Sequence, residues 1–202
     1  DDYKGAVQVC NKLLSDVNNF GFTEPGLYWA KAQFELRKFL AYAHDQNKKD
    51  AFSAILAREK NTTKNLGLID ADEIDKRNYS STNKRMRAWY YILFGEYEKA
   101  KKELEDYKII MEKVKSPDAL DHYNAMLGMV RLFTGDGSGA LEYLGEEFDV
   151  ENYPYYSYFR AVALKGVGQS ELANDIFLQL SNYNFNDLGV SLVKSLAKKQ
   201  LG

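Results

Sequence analysis

The sequence holds one cysteine, three prolines and two histidines in 202 residues, and each scarcity closes off a class of explanation. Cys10 cannot pair within the chain, so no disulfide framework supports the fold, and the lone thiol leans toward a reducing compartment. His44 and His122 stand 78 residues apart, neither in a ligand-spaced pair, which leaves no histidine constellation for metal or acid–base work. No apolar run nears the roughly 20 residues that a bilayer-crossing helix needs. A charge excess of one sign is also missing: 27 basic residues face 29 acidic ones, a net charge of −2, whereas binding to a phosphate backbone rests on a basic surplus. We expect no nucleic-acid partner, no membrane span, no cofactor and no metal.

What the chain does have is a globular composition, 45% hydrophobic and 28% charged, which argues against disorder. Two glycosylation sequons, at Asn61 and Asn78, are of a kind that arises by chance. The prolines stand where helices can begin, at Pro25, Pro117 and Pro154, since proline suits a first helical turn. Apolar residues recur at intervals of three and four, as in Leu104, Tyr107, Ile110, Met111 and Val114, and no stretch keeps the alternation of a strand. The fold class is therefore all-α. Helices are expected over 3–18, 25–44, 47–60, 81–94, 96–115, 117–134, 138–148, 154–167, 169–182 and 187–200, with 61–80 a long polar loop broken by Gly67.

Three of the helix–helix turns align. Ala88, Gly95, Ala100 and Leu104 match Gly128, Gly135, Ala140 and Leu144, and both match Ala161, Gly168, Ala173 and Phe177. A small residue stands seven before the glycine, an alanine five after it, and a large apolar residue four further on. Glycine supplies the left-handed residue that ends a helix, and the small residues let paired backbones approach.

This pattern resembles the tetratricopeptide repeat, a helical hairpin unit of about 34 residues. The resemblance covers roughly 82–185; the turn alanines recur at spacings of 40 and 33, so the first interval carries an insertion. It implies an α–α superhelix of antiparallel hairpins in one solenoid domain: divergent hairpins over 1–60, the loop 61–80, three units over 81–185 and a capping helix over 186–202. Before these units, Ala51 fits the turn alanine of a further hairpin, but Phe39 occupies its small-residue position. Residues 2–6 parallel 96–100, so the chain is expected to open on the second helix of a unit, either as a fragment of a longer protein or at a trimmed start with a frayed first helix. At the other end Leu188, Leu192, Val193 and Leu196 form the apolar stripe of the cap, with Asn186 or Asp187 starting it.

Residues that invite a chemical reading have plainer ones. The cluster from Asp70 to Asp75 lacks the glycine and distal glutamate of a calcium loop, and acids favour a helix start. Gly135 to Gly139 follows a helix rather than a strand, unlike a phosphate loop. Cys10 lies on an apolar helix side with Leu13 and Leu14 as a buried thiol. Nothing in the sequence points to an enzyme. The family resemblance implies instead that the first helix of each unit lines a concave, partner-binding groove. Its ligand-facing positions carry over as Thr82, Arg85, Trp89 and Ile92; His122, Ala125, Met129 and Leu132; and Tyr155, Tyr158, Val162 and Lys165. Arg85, Trp89, His122, Met129, Tyr155 and Tyr158 are the candidate partner-binding residues, suited to an apolar helix or peptide. The run from Tyr153 to Phe159 is expected to leave part of itself exposed. The expected function is a non-catalytic protein–protein interaction scaffold; self-association and a regulatory appendage to a larger protein are the alternatives.

Overall fold

The computed structural model describes residues 2–183 and 188–202, with the side chains of 188–191 outside the description. The described residues are helical and contain no strand. The helices are α1 (Tyr3–Asp16), α2 (Glu24–His44), α3 (Lys48–Leu68), α4 (Glu73–Leu93), α5 (Tyr97–Met111), α6 (Asp121–Phe133), α7 (Gly137–Leu141), α8 (Pro154–Gly166), α9 (Ser170–Asn182) and α10 (Leu188–Leu201). The chain divides into two compact units, Asp1–Ala119 and Leu120–Gly202, where the sequence reading expects one domain.

In the first unit, α1 packs on α2, α2 pairs with α3, α4 pairs with α5, and α4 also meets α2 and α3. Local signals set the helix starts. Thr23 accepts the Gly26 N–H ahead of Pro25, and Asn47 accepts the Asp50 N–H. Asp72 and Asp75 form a reciprocal capping box, at 2.8 and 3.3 Å. The acids around position 72 thus serve a helix start.

The long loop expected over 61–80 is a correction: α3 runs to Leu68, α4 begins at Glu73, and only 69–72 lies between them. The inward stripe of α3 is Ala51, Ile55, Arg58, Thr62 and Asn65, all buried and spaced by four and three. The helical period continues past residue 57, but polar residues carry it. Their hydrogen bonds are met inside the unit: Asn65 donates to the Pro25 carbonyl at 2.7 Å and accepts from the Tyr79 hydroxyl, and Thr62 donates to the Glu59 carbonyl at 2.9 Å. Gly67 faces open space, so it costs the helix only its propensity.

In the second unit, α8 is the central helix, packed by α6, α7, α9 and α10. This placement corrects a second expectation. Every residue from Pro154 to Phe159 is buried, because α6, α7, α9 and α10 all pack on the helix, with Phe148 of the preceding segment helping to cover it. The expected helices over 96–115, 117–134 and 138–148 are shorter, ending at Met111, beginning at Asp121 and ending at Leu141. Pro117 lies in the turn ahead of α6 rather than in its first helical turn. In α10, Val193 and Ala197 are fully buried while Lys198 and Lys199 are exposed. The proposed cap at Asn186 or Asp187 lies outside the described residues, as does the Leu188 side chain.

The hairpin turns repeat one geometry. Gly95, Gly135 and Gly168 have φ of +72°, +88° and +85°. The next residue's N–H bonds back five residues in each: Glu96 to Tyr91 (2.8 Å), Asp136 to Arg131 (2.9 Å) and Gln169 to Leu164 (2.9 Å). The α2–α3 turn does the same, with Asn47 bonded to Tyr42 at 2.8 Å and Gln46 at φ +58° in the glycine position. Gln46 stands seven after Phe39 and five before Ala51, so a fourth turn follows the spacing without its glycine. This is the Schellman arrangement that satisfies orphan carbonyls at a helix end. Ala88, Ala100, Ala140, Ala161 and Ala173 are fully buried, as are Leu104, Leu144 and Phe177. At Gly128 a β-carbon would stand 2.6 Å from Leu144 Cγ and 3.1 Å from the Ala140 carbonyl oxygen, so α6 and α7 meet there at backbone distance.

Candidate functional site

In the first unit α4 turns Arg85 and Trp89 to the same side, one helical turn apart, and both are half-buried. Trp89 rests edge-on against the buried Phe39 ring of α2, centroids 6.0 Å apart. Arg85 has a buried Nε–H with no hydrogen-bond partner. Ile92, the last position carried over to α4, is buried core.

A cleft of about 160 Å³ opens between α2, α3 and α4, beside this face. Trp29, 57% exposed, forms one wall, and Thr82, Asn78 and Tyr79 of α4 stand opposite. The buried side chains of Arg58 and Asn65 line its inner side. Arg58 donates from Nη1 to Asn83 Oδ1 at 3.1 Å, while its Nε–H has no partner. The Glu59 charge pulls on it more weakly than burial and Arg85 act against it, and no carboxylate of the described residues bridges it directly. Glu59 is engaged bidentately by Arg87, with Nε and Nη2 each 2.7 Å from a carboxylate oxygen, and that pairing holds the Arg87 proton more tightly than usual. Lys84 bridges Asp106 at 2.6 Å and Glu103 at 3.1 Å. Burial, and then the like charge of Arg85, pushes the Arg58 guanidinium below its ordinary range.

Sequence reading missed Trp29, Arg58 and Asn65. The signal that could have found Arg58 and Asn65 is the four–three spacing from Ala51 through Asn65, which places both on the inner face.

In the second unit the candidate residues are mostly interior. Met129 is fully buried, and so is Ala125 beside it. Tyr155 and Tyr158 are buried as well; Tyr155 packs on Phe159 at 5.1 Å, and Tyr158 on Phe177 at 5.8 Å. α10 covers this side of α8: Lys165 Nζ donates to the Gln200 carbonyl and side-chain oxygens, both at 3.2 Å, and Gln200 also bonds Tyr158. Burial raises the Tyr158 pKa. His122 is half-buried, with Nδ1 2.9 Å from the Tyr156 hydroxyl, while Tyr153 donates to Asp121 at 2.6 Å. These four residues tie α6 to the start of α8, so the second unit brings its candidates together as packing.

The remaining residues singled out in the sequence have structural places. Asp136 accepts the Gly139 N–H at 2.8 Å, starting the short α7. Cys10 is buried, and desolvation raises its thiol pKa. Among the described residues no group of three or more His, Cys, Asp or Glu is placed to hold a metal ion, and no helix is long and apolar enough to cross a membrane. No family model, curated protein or solved structure matches this chain.

Proposed function

We propose that this chain is a non-catalytic protein–protein interaction scaffold of the tetratricopeptide type, holding a peptide or helix of a partner along the α4 face that carries Arg85 and Trp89. The observation behind this reading is the fourfold turn, with one left-handed residue, one five-residue backbone bond and one buried alanine in each hairpin. A chain that repeats a hairpin joint while varying the residues around it keeps a framework constant and leaves its faces free to specialise. Trp89 and Arg85 belong to the residue types that dominate binding hot spots, and neither is fully buried. Met129, Tyr155 and Tyr158 have no direct contact role, because they are core residues and α10 covers the α8 side.

The test is a peptide library panned on the purified protein, with labelled hits measured by fluorescence anisotropy. Trp89→Ala should weaken the best peptide at least about tenfold, about 1.4 kcal/mol, while the far-ultraviolet helical signal holds. Unchanged affinity in that variant sinks the reading.

A further inference from the structure

Arg58 poses a problem that the packing of the first unit leaves unsolved. It is 7% exposed, and no carboxylate of the described residues lies within ion-pair distance of it. A cation removed from water without a counter-charge is strongly unfavourable. Glu59, whose charge offsets part of the penalty from a distance, already bridges Arg87, and Arg85 adds a second positive charge nearby. Arg58 nevertheless lines a cleft open to solvent.

The free part of Arg58 has a defined shape. Nη1 is held by Asn83, and the Nε–H, itself enclosed, has no partner, so no acceptor of the described residues meets the edge formed by Nε and Nη2. That same edge of Arg87 grips Glu59 with two bonds of 2.7 Å, which shows in this molecule what a guanidinium edge accepts: a planar, singly charged carboxylate. The exposed indole of Trp29 forms a wall of the cleft, apolar and flat, on which a planar body can stack. The volume of about 160 Å³ suits a ligand of single-ring size.

We propose that the cleft between α2, α3 and α4 binds a small organic acid, its carboxylate on Arg58 and its flat apolar body against Trp29. Asn65 and Tyr79 shape the site by holding each other and the Pro25 carbonyl, so the ends of α2, α3 and α4 around the cleft are tied together before any ligand arrives. The inference does not rest on the partner-binding reading: it concerns a small ligand held by Arg58 and Trp29, and only Thr82 is common to the cleft and the α4 face.

The test uses the whole chain and four probes: benzoate, its neutral isostere benzamide, inorganic phosphate, and a blocked peptide carrying one aspartate. Benzoate should bind saturably by calorimetry and shift the Trp29 indole N–H resonance, with each of the other probes at least about tenfold weaker. R58M should lose at least about tenfold of the benzoate affinity, and R58K should recover part of it, because charge without the planar fork keeps only the point attraction. Should R58M fail to fold, Trp29→Ala, at an exposed position, should still weaken benzoate several-fold. Equal binding of benzamide, tighter binding of phosphate or of the aspartyl peptide, or unchanged benzoate affinity in a folded R58M or in Trp29→Ala overturns the proposal.

Discussion

The two units solve the same problem, filling the space beside a helical hairpin, with opposite chemistry. The first runs a polar seam through its interior, in which Arg58, Thr62, Asn65 and Ser81 are all buried. The second packs its central helix in aromatic rings, with Phe148 lying 5.2 Å from Tyr153 and 5.7 Å from Tyr156. The difference teaches what holds each unit in register. In the second unit the adhesion is area and shape, so any loss of volume is felt. The first has an apolar core too, with Phe39, Leu40, Ile55 and Ile92 enclosed, but along its seam adhesion is directional, so there the identity of a hydrogen-bonding atom matters more than its bulk, and a charge can persist inside.

Substitutions can sharpen or break this contrast. The largest effect should come from Phe148→Ala, which empties a fully enclosed site and should cost about 3–5 kcal/mol by denaturant unfolding. If it cost under about 1 kcal/mol, the aromatic interior would be loosely packed and the contrast would fail. Asn65→Leu nearly preserves volume but strands the Tyr79 hydroxyl and the Pro25 carbonyl; a loss of about 1–3 kcal/mol is expected in chemical melts. Gln46→Gly should raise stability by about 1 kcal/mol, because the left-handed backbone already there suits glycine. Arg58→Met should move stability by less than about 1 kcal/mol despite the burial of the site, the loss of the Asn83 bond offsetting relief of the desolvated charge. A large loss would mean that the charge itself supports the fold.

The gentlest effect concerns pH. Burial lowers the His44 pKa below its ordinary value of about 6.5, so the folded state takes up its proton less readily than the unfolded chain does. This contribution is therefore fully present above about pH 6.5 and is lost as pH falls from there toward the lower folded value. Urea melts at descending pH should show that decline, and His44→Gln should flatten it.

How far the sequence could be read follows from the same contrast. The three glycine turns were legible because a left-handed residue and two close approaches leave few residue types that fit, as Gly128 against Leu144 demonstrates. The all-helical class was legible from the apolar period. The fourth turn was half legible: Ala51 marked it, but Gln46 gives no sign by its identity that its backbone is left-handed. The end of α3 was not legible, because hydrophobic periodicity detects an inner face only where that face is apolar, and past residue 57 it reads Arg58, Thr62 and Asn65. The aromatic run failed for the converse reason. A helix is expected to keep one side in water, and α8, surrounded by α6, α7, α9 and α10, has no such side over its first two turns. The candidate site shared both difficulties: Tyr155 and Tyr158 looked available and are core, whereas the buried Arg58 drew no reading from the sequence.

The distribution of chromophores gives the molecule an internal pair of reporters. Both tryptophans, Trp29 and Trp89, lie in the first unit, while the second is lit only by tyrosine and phenylalanine. Selective indole emission therefore follows the unfolding of the first unit, while far-ultraviolet dichroism follows the helices of both. Coincident transitions would report one cooperative block and separated transitions two, without a label being attached.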